Sequence, residues 1–176
     1  ETKHNYFYGM PTRYYAGMYW GFLWSYQHQE DIHVCLAFSR DGYDFKRPAD
    51  RPRFIDLGPE GSWDGGMVSA NSWIEVGDEW WIYYVGTDGR HNVREPVPGI
   101  GLAKLRKEGF ASLRSPAGGG FVVTKIFQCP EGGLQVNADA SKGELRVRVT
   151  DYERQVLPGF EQSATLTGDG VRQDVV

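Results

Sequence analysis

Residues 19–26 read Tyr-Trp-Gly-Phe-Leu-Trp-Ser-Tyr, and this stretch decides the fold class because its large side chains alternate. The residues that share one face are Trp20, Phe22, Trp24 and Tyr26. A period of two is typical of a β-strand. Residues 33–38 predict a second strand, and the polar stretch at 39–42, Ser-Arg-Asp-Gly, predicts the turn that follows it.

The same blocks recur later in the chain in the same order. The first copy contains Gly9-Met10-Pro11, Tyr19-Trp20-Gly21-Phe22 and Leu36-Ala37-Phe38-Ser39-Arg40. The second contains Gly66-Met67-Val68, Trp80-Trp81-Ile82-Tyr83 and Leu102-Ala103-Lys104-Leu105-Arg106. The offset grows from 57 residues at the methionines to 66 at the alanines, as expected for shared strands with loops of different length. This pattern predicts repeated units that bury their apolar faces against neighbours, although two unrelated hairpins could also produce it.

Composition limits the class of protein. The 176 residues suffice for one domain or two small ones, and 14% aromatic residues with 23 glycines favour many short strands. The net charge of −4 predicts no nucleic-acid partner, and no apolar stretch is long enough to cross a bilayer. Cys35 and Cys129 form no disulfide framework, and Cys35 is expected to be a buried thiol. We expect a piece of a longer protein, because the chain starts without Met and ends on a strand-like run, so the cellular location stays open.

The last third of the chain differs from the rest. Aromatic residues become fewer after the segment 115–120, Ser-Pro-Ala-Gly-Gly-Gly, which predicts a domain boundary or a turn between sheets. Further strands are predicted at 121–127, 134–138 and 145–150, the last alternating Leu, Val and Val with Arg, Arg and Thr. The sequence therefore predicts two domains, 1–115 and 116–176, and the second fits a β-sandwich or its beginning.

Three blocks carry a resemblance to a known family. Residues 37–47, AFSRDGYDFKR, residues 61–68, GSWDGGMV, and residues 81–86, WIYYVG, resemble blade motifs of five-bladed β-propeller glycoside hydrolases of families 32 and 43. The tail, including residues 137–140 and 157–160, is similar to the β-sandwich that follows the propeller in family-32-like bacterial proteins. The resemblance implies an all-β chain made of the last blades of a propeller and part of a β-sandwich.

The resemblance also implies a function. Such enzymes hydrolyse a glycosidic bond of an oligo- or polysaccharide with two carboxyl groups that flank it. The family's N-D-P, R-D-P and E-C blocks are missing from this sequence, so the main carboxylates are expected upstream and the catalytic residues stay unassigned. A carbohydrate-binding module without catalysis and a purely structural β-domain are the alternatives. Two blades alone would expose apolar faces, which predicts poor solubility or oligomerisation of the isolated chain.

Five residues are candidates for contact with a sugar. They are Asp64, Asp88, Arg90, His91 and Asn92, of which the last four lie in one polar loop after a predicted strand. Asp64 could equally be a structural turn residue, and the loop could be a solvated turn. No cofactor or metal is predicted, since the set His28, Glu30, Asp31 and His33 has no ligand spacing and fits an exposed loop.

Two further sets of residues have structural or aromatic interpretations. Asp41 is predicted to hold its turn, and the stripe Trp20, Phe22 and Trp24 to pack between repeated units. Exposed Trp and Tyr side chains can stack on sugar rings, so Tyr14, Tyr15 and Trp73 are candidate platforms.

Overall fold

The computed structural model describes residues 6–26, 31–128, 133–161 and 164–175. These residues form an all-β structure with no helix. The strands are β1 (Tyr6–Gly9), β2 (Thr12–Tyr15), β3 (Met18–Tyr26), β4 (Ile32–Ser39), β5 (Arg53–Ile55), β6 (Met67–Val76), β7 (Glu79–Thr87), β8 (Pro98–Arg106), β9 (Gln135–Asp139), β10 (Leu145–Val147), β11 (Ala164–Leu166) and β12 (Asp169–Asp174). The contacts divide the chain into two units, Glu1–Leu105 and Arg106–Val176. Whether these units are a propeller part and a sandwich part stays a prediction.

The repeat corresponds to two groups of strands in unit 1. In the first strand group, β1 and β2 both pair with β3, β3 pairs antiparallel with β4, and β5 pairs with β4. In the second strand group, β6 pairs antiparallel with β7, and β8 lies beside β7. The predicted strands at 19–26, 33–38, 67–76, 80–85 and 100–105 are therefore confirmed. A parallel bridge between Ile32 and Met67 joins the groups into one eight-stranded sheet, which is not closed.

Aromatic side chains pack the two strand groups together, as the alternating pattern predicts. Phe22, which is 2% exposed, meets Trp73 edge-on at 4.8 Å between ring centroids. The Trp24 indole donates a hydrogen bond of 2.8 Å to the Ala70 carbonyl, and Trp80 is fully buried beside Tyr15. The predicted packing role is thus confirmed for Phe22 and Trp24, while the indole of Trp20 bonds the Tyr15 carbonyl within its own group.

The turn after β4 is built around Asp41. Its carboxylate accepts hydrogen bonds from the Ser39 hydroxyl and from the backbone amides of Tyr43 and Asp44, at 2.8 to 2.9 Å. Gly42 has a φ of 80°, a conformation that glycine adopts without steric cost. The three hydrogen bonds, those of the two amides first, lower the pKa of Asp41 to about 2. The predicted structural role of Asp41 is confirmed.

Unit 2 contains two small sheets, β9 with β12 and β10 with β11. The predicted strand at 134–138 is confirmed, and the one at 145–150 is shorter than expected because β10 ends at Val147. The predicted strand at 121–127 is wrong. Within the described part of the chain this segment has no strand partner, and its apolar side chains, such as Phe121 and Ile126, stay exposed. An apolar run forms a strand only where another strand satisfies its backbone groups.

Candidate functional site

Two loops of unit 1 lie at the same end of the sheet. Met67, at the start of β6, pairs with Thr87, at the end of β7. The loop before β6 (residues 56–66) and the loop after β7 (residues 88–97) are therefore neighbours. The first loop contains Asp64, and the second contains the other four candidate residues.

The two loops touch through glycines. The Gly66 amide donates to the Thr87 carbonyl at 2.8 Å, and the Thr87 hydroxyl donates to the Gly89 carbonyl at 2.8 Å. A Cβ atom at Gly66 would lie only 2.2 Å from the Gly89 backbone. Any larger residue at position 66 would push the loops apart, so glycine is required here for close approach.

A shallow cleft of about 390 Å³ lies between the loops. Its lining residues are Leu57, Gly58, Glu60, Gly61, Gly65, Gly66, Asp88, Gly89, Arg90 and Val93. The cleft is thus walled mainly by glycine backbone and carries three charged side chains, those of Glu60, Asp88 and Arg90. Backbone amides, carboxylates and a guanidinium are the donors and acceptors that hydroxyl-rich ligands need.

Asp88 and Arg90 are the two predicted residues that reach this cleft. The Asp88 carboxylate accepts a hydrogen bond of 2.8 Å from the Val97 amide, which ties the two ends of the loop together. The Arg90 carbonyl accepts from the Val93 amide at 3.0 Å, so a tight turn directs the residue towards the cleft. Asp88 therefore has a structural contact in addition to its position in the cleft wall.

His91 and Asn92 are exposed and do not line the cleft. The His91 ring lies 5.0 Å from the Tyr8 ring and 5.1 Å from the Tyr26 ring, measured between centroids. Because both tyrosines belong to the first strand group, His91 anchors the loop of the second group on the first. Asn92 lies in the turn that reverses this loop.

Asp64 is held by two side chains. Its Oδ1 accepts from the Ser62 hydroxyl and its Oδ2 from the Tyr84 hydroxyl, each at 2.9 Å. Burial, together with the hydrogen bond to Asp64 and the negative charge of Asp64, raises the pKa of Tyr84 to about 12. The Asp64 carbonyl also accepts from the Gly58 amide at 3.1 Å. These contacts agree with the structural interpretation of Asp64, since both carboxylate oxygens fix the loop.

Trp63 is a residue that the pattern analysis missed. Its indole is 44% exposed and stacks on Tyr84 at 5.8 Å with an interplanar angle of 22°. Cβ atoms at Gly86 or Gly99 would lie 2.8 and 2.6 Å from the indole, so these glycines make room for it. A partly exposed indole that is held in place presents a flat apolar surface of the kind on which rings stack. The sequence feature that could have indicated Trp63 is the pair of glycines, Gly86 and Gly99, on the neighbouring strands β7 and β8.

The prediction of an exposed loop is wrong for Asp31 and His33, which are 6% and 1% exposed. Asp31 bonds His33 Nδ1 at 3.0 Å and also accepts from Arg53 at 3.0 Å. The Arg53 guanidinium donates in turn to Asp56 at 2.6 Å. Burial follows because β4 lies inside the sheet, with β3 and β6 as neighbours. His28 and Glu30 lie outside the described residues.

The Asp31 network ends at the first residue of the cleft loop. Burial raises the pKa of Asp56, but the hydrogen bonds from Arg53 and the Leu57 amide outweigh it and lower the pKa overall. The network thus anchors the loop 56–66 on β4. In the part of the chain that the structure describes, no group of three or more His, Cys, Asp or Glu side chains could hold a metal ion.

Of the three predicted stacking residues, Trp73 is buried, Tyr15 is half-buried and Tyr14 is exposed. Trp73 is only 9% exposed and packs on Phe22, and Tyr15 packs edge-on against Trp80. Tyr14 is 60% exposed and contacts Tyr19. Trp73 is therefore not available for stacking, because it lies between the two strand groups. Cys35 is 3% exposed, as predicted, and burial raises the pKa of its thiol, although the charges of Arg47 and Arg53 oppose this.

Comparison with known proteins adds no relative. The chain matches no protein-family model, and no similar chain was found among curated proteins or solved structures. Over the described ranges, no helix has the length and apolar character needed to span a membrane.

Proposed function

We propose that this chain is part of a glycoside hydrolase-like protein that acts on an oligo- or polysaccharide. In this proposal the two strand groups of unit 1 are the last blades of a five-bladed β-propeller, and unit 2 belongs to the β-sandwich that follows. The blade motifs support it: residues 37–47 cover the end of β4 and the turn after it, residues 61–68 the start of β6 and the loop before it, and residues 81–86 lie within β7.

The observation that carries the proposal is the cleft between the loops 56–66 and 88–97. It combines glycine backbone with the side chains of Glu60, Asp88 and Arg90. The indole of Trp63, which is 44% exposed, belongs to the same loop as Glu60 but lies outside the lining of the cleft. Polar groups that orient hydroxyls, next to an aromatic surface, are the usual means by which proteins hold sugars. Arg90 and Asp88 would orient the substrate, and carboxylates from other blades would supply acid and base.

A second candidate function is carbohydrate binding without turnover. The hydrogen bonds that Asp64 and Asp88 accept from other residues of the chain favour this function. Both oxygens of Asp64 accept structural hydrogen bonds, and one oxygen of Asp88 ties its loop to Val97. A general acid or base needs a carboxylate oxygen that can exchange a proton with the substrate. The hydrogen bonds of Asp64 and Asp88 instead hold the bonded oxygens on the protein.

A pair of arginines in one loop tests the proposed binding site. A glycan array probed with the chain would select an oligosaccharide, and calorimetry would measure its affinity for wild type, Arg90→Ala and Arg94→Ala. Arg94 is the matched control, because its side chain is 95% exposed and does not line the cleft. We expect Arg90→Ala to weaken binding about tenfold or more, since one charged hydrogen bond is worth about 1.5–3 kcal/mol, and Arg94→Ala to leave it unchanged.

The outcomes separate the candidate functions. Equal losses in both arginine variants would remove the cleft from the site. If the oligosaccharide binds, release of reducing ends by the longer protein that contains this chain decides between the two functions: turnover supports the hydrolase, and binding without turnover supports the binding module. Asp88→Asn, which keeps the oxygen that accepts from Val97, then tests the charge of Asp88 without opening the loop. No binding of any glycan would contradict both functions.

A further inference from the structure

A small pocket lies between the two strand groups of unit 1, apart from the cleft. Its volume is about 180 Å³, and none of its lining residues also lines the cleft. One wall consists of two pairs of directly opposite residues on β6 and β7, Met67 with Thr87 and Ser69 with Val85. Opposite residues of an antiparallel pair place their side chains on one face, and so do residues two apart on a strand. These four side chains therefore form one side of the pocket.

The first strand group forms the remaining walls with Tyr8 of β1, Trp24 of β3 and Ile32 of β4. The Trp24 indole is held in place, because it donates a hydrogen bond of 2.8 Å to the Ala70 carbonyl. Strand β1 lies close to that ring, since a Cβ atom at Gly9 would be only 2.9 Å from it. Ile32 is 8% exposed and Tyr8 is 49% exposed. The pocket thus has a buried side at Ile32 and an open side at Tyr8.

The wall formed by β6 and β7 contains two hydroxyl groups in an otherwise apolar lining. The Thr87 hydroxyl already donates to the Gly89 carbonyl at 2.8 Å. The Ser69 hydroxyl makes no hydrogen bond to any residue that the structure describes. A hydroxyl that loses its water to a purely apolar ligand loses hydrogen bonds without replacement. The pocket therefore favours a ligand that is mainly apolar and carries one hydrogen-bonding group.

We propose that this pocket binds a small phenol, that is, a single aromatic ring with one hydroxyl group. The size fits, because an apolar cavity of about 150 Å³ in another protein holds benzene. The ring of the ligand packs against the fixed indole of Trp24 and the ring of Tyr8, and its hydroxyl bonds the Ser69 hydroxyl. This site does not depend on the proposed carbohydrate function, since the two cavities share no lining residue.

Fluorine NMR titrations of the full chain with 4-fluorophenol and with fluorobenzene test the site. We expect 4-fluorophenol to bind with a dissociation constant of about 1 mM or below, as a ligand of this size can reach, and fluorobenzene to bind more weakly. Ser69→Ala should weaken the binding of 4-fluorophenol about three- to tenfold, because one hydrogen bond is lost. The same change should leave the binding of fluorobenzene as it is, since fluorobenzene has no hydroxyl.

A pair of valines on the same hairpin locates the binding. Val85 lines the pocket and is 36% exposed, whereas Val76 is 37% exposed and lies outside it. Val85→Phe fills the pocket from its wall, so both ligands should bind at least about tenfold more weakly, and Val76→Phe should bind them like the wild type. Circular dichroism melts confirm that the variants fold.

Three outcomes would overturn the proposal. The first is no binding of either ligand at about 10 mM. The second is an equal loss of binding in Val85→Phe and Val76→Phe, which would place the ligand outside the pocket. The third is equal affinity for the two ligands with no effect of Ser69→Ala, which would remove the hydroxyl contact that selects a phenol.

Discussion

The two strand groups of unit 1 share blocks of sequence but not surroundings. Leu36 in the first group is 4% exposed, and Leu102 at the equivalent position of the second is 40% exposed. The strands themselves form in both groups, because alternation and backbone pairing act within each group. The burial of a strand face depends on what packs against it, and only the first group has such a neighbour within unit 1. Similar sequence therefore predicts similar strands here. It does not predict how much the same side chain contributes to the free energy of unfolding, because that depends on its burial.

The largest expected effect uses that pair of leucines. Leu36→Ala removes a buried side chain and leaves a cavity, so we expect a loss of about 2–5 kcal/mol in the free energy of unfolding. Leu102→Ala makes the same chemical change on an exposed face and should cost less than about 1 kcal/mol. Urea unfolding followed by tryptophan fluorescence measures both, since all six tryptophans lie in unit 1. Equal losses would mean that the second face is covered in solution.

The second prediction compares the glycines that open the two Gly-Met blocks, Gly9 and Gly66. A Cβ at Gly66 would meet the Gly89 backbone at 2.2 Å, and one at Gly9 would meet the side chain of Trp24 at 2.9 Å. The Gly89 backbone cannot yield without moving the loop, whereas the overlap at Gly9 is smaller and falls on the edge of the Trp24 ring, which is held by its hydrogen bond to Ala70. We expect Gly66→Ala to cost about 3 kcal/mol and Gly9→Ala about 1–2 kcal/mol.

The same urea titration measures the two glycine variants. Gly66→Ala should also weaken the binding of any ligand in the cleft, because Gly66 and Gly89 form part of the wall of the cleft. A Gly66→Ala variant as stable as the wild type would show that the two loops can separate without cost.

The sequence predicted the strands of unit 1 well, for a clear physical reason. In a strand with one buried face, apolar and other side chains alternate. Residues 19–26 of unit 1 show this alternation, as do residues 145–147 of unit 2. The same criterion failed for residues 121–127, because an apolar run shows that a strand could form and not that a partner exists. It also failed for Asp31 and His33, whose polar character suggested an exposed loop although β4 begins at Ile32 inside the sheet.

The candidate site was predictable in part. The polar loop after β7 could be located from the sequence because polar residues follow a strand, and Asp88 and Arg90 do reach the cleft. The loop before β6 faces them only because β6 and β7 pair at that end, which requires the register of the sheet. His91 could not be assigned from its type, since its contacts are two tyrosines more than sixty residues away in the sequence.

The third prediction concerns the position where the strand groups differ most in chemistry. Tyr84 donates to Asp64, whereas the equivalent residue of the first group, Leu23, is a buried aliphatic side chain. Tyr84→Phe removes the hydrogen bond and should cost about 1 kcal/mol at neutral pH. Asp64 keeps its bond from Ser62, so the loop should stay in place.

The pKa of Tyr84 adds a dependence on pH to that prediction. Because the folded pKa, about 12, is above the usual value near 10, the folded state holds this proton more tightly. The stabilisation from Tyr84 is fully present below pH 10 and is lost as the pH rises through 12. The difference in unfolding free energy between wild type and Tyr84→Phe should therefore shrink above pH 10. A constant difference up to pH 12 would contradict the role of the Asp64 contact.

The smallest expected effect at neutral pH is at the turn after β4, where Asp41-Gly42 stands in place of the Glu108-Gly109 pair after β8. The pKa of Asp41 is about 2 in the folded state because two amides and the Ser39 hydroxyl bond its carboxylate. The folded pKa is below the usual value near 4, so the stabilisation is present above pH 4 and is lost as the pH falls through 2. Asp41→Asn keeps an oxygen acceptor without the charge, and Asp41→Ala removes both.

Thermal melts between pH 2 and 7 separate these two contributions at Asp41. Wild type should lose melting temperature towards pH 2 more steeply than Asp41→Asn, and the two should converge at the acid end. Asp41→Ala should be less stable than both at every pH, because the amides of Tyr43 and Asp44 then lose their protein acceptor and can donate only to water. If Asp41→Asn followed the acid slope of the wild type, the charge of Asp41 would contribute nothing. The turn would then be held by hydrogen-bond geometry alone.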